Sequence, residues 1–260
     1  TGYVQLLTEA DRTRVLTVAV SLAGAGGFAA GAFVADGEGD AYDHDAYARA
    51  MAEVSEAGGT PVLFPSWGLA ALDEAEWVAA QERLGSGVDR FIAFELGDMF
   101  VPYGRIYSLD AYRGLMGIPS CIGAKHSSLS RQAEWARLAL RNEVRSDFSV
   151  CTGNDLAIDM VRYGSDYLLG LSAFAPDAFA ERDRRWAAEE SSFDELNDLL
   201  QYLGFFAFRP PVPVYRHDAA MFLKLRGWID SDATPVGAPQ RPDADREVLA
   251  DIAGRLAAMV

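Results

Sequence analysis

The stretch IPSCIGAKHSSLSR, Ile118 to Arg131, ends an apolar run on a lysine. The chain carries 23 basic residues, and all are arginine except Lys125 and Lys224. Lysine is seldom buried without a partner. In an apolar interior its charged form is disfavoured, and a neutral amine attacks a carbonyl carbon to form a Schiff base. The bland alternative is a lysine paired with a buried carboxylate, which also occurs away from active sites. By the two-residue period of a strand, Cys121, Gly123 and Ser127 share the face of Lys125, while Ile122, Ala124 and His126 take the other. Gly123 leaves space beneath the amine.

A second candidate is Glu95, the only ionisable residue late in the run RFIAFEL. If it faces the interior with Ala93 and Phe91, its pKa is raised, which suits a general acid-base. Its alternative role is to neutralise Lys125. Asp98 reads as a solvated loop residue, and Tyr103 and Tyr107 lie in the loop that follows, within reach of the interior. His126 is expected to pack behind the strand. Asp40, Asp43, His44 and Asp45 match no EF-hand spacing and read as a solvated loop that caps the next helix. Cys121 and Cys151 form no CxxC pair and read as small core residues. Trp67 ends a strand and suits a pocket wall or a core, and His217 reads as a helix-start residue.

These residues sit on alternating strands and helices. Strands are expected at 27–34, 60–68, 90–96, 121–127, 148–154 and 166–173. Helices lie between them, and the chain is helical from there to its end, broken at 209–214 and at 232–245. Such alternation gives parallel strands with right-handed crossovers. No GxGxxG opens a helix after the first strand, so a dinucleotide fold lacks its fingerprint. A (β/α)₈ barrel is favoured over an open doubly wound sheet, although it wants eight strands.

The 260 residues, 50% of them hydrophobic, suffice for a sizeable core. A net charge of −15 disfavours nucleic acid and anionic membrane surfaces. No apolar run is long enough to span a bilayer, and the first residues do not read as a signal peptide. Two cysteines fit a reducing cytoplasm.

The motif GIPSCIGAKHSS resembles the lysine strand of the dihydrodipicolinate synthase / N-acetylneuraminate lyase family, Schiff-base lyases on a (β/α)₈ barrel. FSVCTGNDLAIDMVRYGSDYLLGLSAFAP is similar to the section that follows in that family, and FRPPVPVYRHDAAMFLKLRGW to its C-terminal helical segment. TGYVQLLTEADRTRVL resembles the end of strand two and the helix behind it, which implies that the first strand–helix unit and most of strand two are missing from this chain. The resemblance implies a barrel over 1–176 and a packed helical segment over 177–260. It implies that Lys125 forms the Schiff base, that Thr1 and Gly2 hold the carboxylate of a 2-oxo acid, and that Gly153, Asn154 and Asp155 rim the pocket; Ser127, on the face of Lys125 by its spacing, is a further expected substrate contact. The family's tyrosine–asparagine pair falls at Phe94-Glu95, so Glu95 is expected to replace the proton-relaying tyrosine. The reading is a lyase acting on a small oxo acid or a sugar-derived oxo compound. It needs no cofactor or metal, has neither nucleic acid nor membrane as partner, and forms a homo-oligomer (dimer or tetramer). Two alternatives stay open: a non-catalytic ligand-binding barrel, and a metal-dependent sugar-processing barrel using Glu95, Asp98 and His126.

Overall fold

The computed structural model describes residues 3–24 and 27–260. Among the described residues six parallel strands form one sheet: β1 Ala29–Ala32, β2 Thr60–Leu63, β3 Phe91–Leu96, β4 Cys121–Ser127, β5 Ser149–Thr152 and β6 Asp166–Tyr167. The helices among the described residues are α1 Glu9–Ala23, α2 His44–Glu56, α3 Trp67–Ala71, α4 Glu74–Gly85, α5 Leu109–Met116, α6 Arg131–Val144, α7 Pro176–Ala187, α8 Phe193–Ala207, α9 Tyr215–Leu225 and α10 Asp245–Ala257. Spatial order follows chain order from β1 to β6. A doubly wound sheet reverses its order at a switch point. The absence of reversal leaves the curled α/β sheet of a barrel wall, six strands of it.

Local chemistry accounts for the element ends. Serine or aspartate side chains cap five helices by accepting the N–H three residues on: Asp43 for α2, Ser66 for α3, Asp73 for α4, Ser108 for α5 and Ser130 for α6. So Asp43 of the acidic loop is a cap, and Asp40 accepts the N–H of Gly37 at 2.7 Å. β2 is buried at every position, as a strand covered on both faces should be. The loop after β3 closes where Gly97 meets Gly104; a Cβ on Gly104 would lie 2.4 Å from the Gly97 carbonyl. No helix among the described residues is long and apolar enough to cross a membrane.

Three local expectations change. Trp67 opens α3 instead of ending β2. The run 166–173 contributes only two strand residues and then a 3₁₀ turn at Leu171–Ala173. The two-residue period fails at Cys121, because a bulge sets Phe91 opposite Cys121 but Ile92 opposite Gly123.

The chain forms two compact units. One, Tyr3–Thr152 with Arg162–Tyr167, holds the whole sheet; the other comprises Gly153–Val161 and Leu168–Val260. The chain passes from one unit to the other after Thr152, Val161 and Tyr167. The segment after β5 spends its polar groups on the second unit: Asp155 accepts the Leu171 N–H at 2.7 Å, and the Ile158 carbonyl accepts from Arg182 at 3.2 Å. Within that unit Arg241 donates to Asp218 (2.9 Å) and to the carbonyls of Ala207 (3.0 Å) and Arg209 (2.7 Å), holding the break between α8 and α9. Burial pushes the Asp218 carboxyl up to about 6, against the opposing pull of Arg241. His217 lies in the first turn of α9, as expected, and accepts the Arg241 N–H at 2.8 Å.

Candidate active site

Lys125 stands two residues before the C-terminal end of β4, in register with Phe94 of β3 and Cys151 of β5. Residues in register on parallel strands share a face, so its immediate neighbours are a phenyl ring and a thiol. The lysine Nζ lies 4.6 Å from the Phe94 ring centroid, and Phe64 meets Phe94 edge-on at 5.2 Å. Lys125 is half-buried, Phe94 and Cys151 buried. Burial, then Asp166, push the Cys151 thiol up to about 12, against Lys125. Gly123 has a different role from the one its spacing suggested. A Cβ there would lie 2.6 Å from the Ser149 carbonyl, so glycine is what lets β5 approach β4.

The opposite face holds a buried polar network. Glu95 pairs with His126, not Lys125, in the sheet register. Its Oε1 accepts from His126 Nδ1 (2.7 Å) and from Arg137 Nε, and its Oε2 from Arg137 (2.9 Å) and the Tyr107 N–H (3.1 Å). Glu95 therefore does not face the interior with Lys125, as expected for a proton shuttle. It points to α6, because a carboxylate that is 1% exposed needs partners, and the arginine is on that side. Burial alone would raise its pKa; the hydrogen bonds of His126 and Arg137 outweigh that and hold it below the usual carboxylate range. Beside it, Glu134 of α6 accepts from Thr152 (2.8 Å) and Ser165 (2.5 Å) hydroxyls, and burial pushes its carboxyl up despite them.

Tyr107 is committed to the same side. Its ring stacks on Trp77 at 3.7 Å, and its carbonyl accepts from Arg137 at 2.8 Å. Tyr103 instead lies 5.0 Å from the Trp67 ring, beyond the ends of β2 and β3, where burial and Asp36 push its hydroxyl up. Asp36 fixes Trp67 by accepting the N–H groups of Trp67 (2.9 Å) and Gly68 (2.8 Å). Ser127 is buried at the end of β4, with its carbonyl bound by the Gly97 N–H at 2.9 Å. Asp98 is exposed.

Thr1 and Gly2 lie outside the described residues. Gly153, Asn154 and Asp155 are buried in the second unit, where Asn154 accepts the Leu156 N–H at 3.1 Å. The sequence reading missed Arg137, Ser128 and Glu134. A signal existed, since Glu134 and Arg137 are spaced i, i+3 with Leu138 beside them, which puts two charges on the face α6 turns to the sheet.

No protein-family model matches the chain, and no curated protein matches it. Solved structures do. Dihydrodipicolinate synthase from Thermotoga maritima superposes with a TM-score of 0.78 at 14% identity, over 97% of this chain and 83% of that one. A prophage protein of the dihydrodipicolinic acid synthase family from E. coli, in complex with pyruvate, gives 0.77 at 13% identity, over 96% and 82%. The chloride-inhibited synthase from Acinetobacter baumannii, also with pyruvate, gives 0.75 at 18%, over 99% and 84%. These structures share this chain's fold.

Proposed function

We propose that this chain, which carries the fold of the dihydrodipicolinate synthase family, is a lyase that works through a Schiff base on Lys125. The observation that carries the reading is the place of the amine. It stands late on a parallel strand, where such sheets keep their active sites, over the Phe94 ring, which Phe64 meets edge-on, and in register with Cys151. In the proposed reaction Nζ adds to the oxo carbon of a 2-oxo acid or a sugar-derived oxo compound, and water leaves. The resulting iminium draws electrons from the adjacent carbon, for C–C cleavage, C–C formation or dehydration. Ser127, on the same strand face as Lys125, is the proposed hydroxyl contact to substrate.

Proton handling must differ from that of the family. Phe94 stands in register with Lys125 where the resemblance puts a tyrosine, and a phenyl ring carries no proton. Glu95 is engaged on the other face. Of the two tyrosines in the loop after β3, Tyr107 is held by Trp77 and Arg137, so Tyr103 is the proposed proton-carrying hydroxyl. The phenyl ring also favours the second reading, a ligand-binding barrel without turnover. The metal-dependent reading loses support, because the guanidinium of Arg137 occupies the carboxylate a cation would need.

The test is borohydride reduction with pyruvate and a panel of 2-oxo acids, read by intact mass and peptide mapping. The lyase reading expects the oxo acid's mass on Lys125 and none in Lys125→Arg. Trapping without turnover selects the binding barrel, and labelling at Lys224 removes both readings. Tyr103→Phe should form the Schiff base yet turn over about 10²–10⁴-fold more slowly, the usual range for a lost general acid-base.

A further inference from the structure

Directly behind Lys125, three side chains form a relay that the lyase chemistry does not use. Ser128 Oγ lies 2.6 Å from His126 Nε2, and His126 Nδ1 lies 2.7 Å from Glu95 Oε1. The direction of this chain follows from donor counting. Glu95 receives N–H groups on both oxygens from Arg137 and one from Tyr107, so it is ionised and only accepts. His126 Nδ1 must then carry the hydrogen. With the second ring nitrogen unprotonated, Nε2 is an acceptor and the Ser128 hydroxyl is its donor, the state the proposed chemistry uses. A hydroxyl donating to an imidazole that is itself oriented by a buried carboxylate is the arrangement of an activated serine.

The surroundings fit. His126 is fully buried and Glu95 nearly so, whereas Ser128 is half-buried at the strand–helix junction. Leu129, the next residue, has φ +58°, a left-handed conformation that non-glycine residues seldom adopt, and it turns the chain sharply between β4 and α6. The 14-residue α6 begins at Arg131, so its positive end lies beside the serine and favours negative charge developing there. The Ser130 N–H donates to Ser128 Oγ at 3.1 Å, which also suits an oxygen gaining charge.

We propose that Ser128 is the nucleophile of a second, acyl-transfer site, with small carboxylic esters as its substrate class. Ser128 Oγ bonds to the ester carbonyl carbon as its proton passes to His126 Nε2. The tetrahedral adduct expels the alcohol, which takes that proton, and leaves an acyl ester on Ser128. Water then attacks, loses a proton to Nε2, and releases the acid as the proton returns to Oγ. Glu95 is a positioning residue that holds the ring tautomer. Arg137 neutralises it, so it orients the imidazole more than it stabilises a charged one. This chemistry does not depend on the lysine.

The test uses the full chain with a fluorophosphonate, which loses fluoride to an activated serine. Intact mass should show one adduct, and peptide fragmentation should localise it to Ser128. Ser128→Ala should lose it while keeping the native circular dichroism. Ser128→Cys should keep a nucleophile and accept an acetyl group from 4-nitrophenyl acetate. Glu95→Gln should slow labelling about 10²–10⁴-fold, as loss of the orienting carboxylate does in serine triads. A folded wild-type chain that stays unlabelled, or is labelled at Ser127, Ser130 or Lys125 instead, overturns the proposal. So does labelling of Ser128 at an unchanged rate in Glu95→Gln.

Discussion

Arg137→Met removes the guanidinium that neutralises Glu95 and leaves the carboxylate buried with two donors, His126 Nδ1 and the Tyr107 N–H. It also frees the Tyr107 and Ala133 carbonyls that the arginine binds. Glu95 is 1% exposed and Arg137 3%, so the buried limit applies. Breaking such a pair from one side costs about 3–5 kcal/mol, whereas an exposed pair contributes about 0–1. The cost should depend on pH in a stated direction. In the native chain Glu95 is held below its ordinary 4.5, so its contribution is present above that value and lost as pH falls. Without Arg137, burial dominates and the carboxyl moves up. Its protonated form then relieves the buried charge, so the deficit is full at neutral pH and shrinks as pH falls toward 4.5. The assay is urea unfolding at several pH values, with hydrogen exchange of the β3 and β4 amides reporting on that unit. Glu95→Gln/Arg137→Met should recover part of the loss, because no charge is left unpaired. A deficit under about 1 kcal/mol at pH 7, the range of a surface pair, would refute the reasoning. So would one that does not change with pH.

Other outcomes follow from the same geometry. Glu134 is raised by burial, so its contribution is full below the ordinary carboxylate range and lost as pH rises through its folded value; Glu134→Gln should flatten that slope in a thermal-melt pH series. Arg241→Met should cost about 3–5 kcal/mol at pH 8, and less below about 6, where Asp218 takes up its proton; urea midpoints at the two pH values check it. Gly123→Ala should destabilise by about 1–3 kcal/mol, because its Cβ meets the backbone carbonyl of Ser149 at 2.6 Å, and the melting temperature reads this directly.

All six strands were legible from apolar runs bounded by glycine or by capping residues, and the neighbours of β4 came out as expected, with Glu95 on one side and Thr152 on the other. What periodicity could not supply was the facing of Glu95. Counted from Phe91 it falls on a face, but which face looks toward the helices depends on its partners. Arg137, 42 residues away, decides that. The bulge opposite Phe91 is equally silent in sequence, because CIGAKHS alternates without a break until β3 is laid against it. β6 was overestimated because DYLLGLSA is mostly apolar after Asp166, a run that strand and turn share. The lysine was visible for a simpler reason: it breaks the chain's own preference for arginine.

The route of the chain after β5 has a consequence for biosynthesis. β5 finds its second neighbour only when Cys151 and Thr152 pair with Asp166 and Tyr167, beyond a segment most of which belongs to the other unit. Until then β5 is an uncovered edge, with a row of unpaired N–H and C=O groups that can template pairing with another nascent chain. At about 5–20 residues per second, synthesis of the stretch between them takes roughly 1–3 s. Fragments ending at Thr152 would keep that edge permanently. They should aggregate where fragments ending beyond Tyr167 do not, so a ribosome that stalls in this window leaves an aggregation-prone nascent chain.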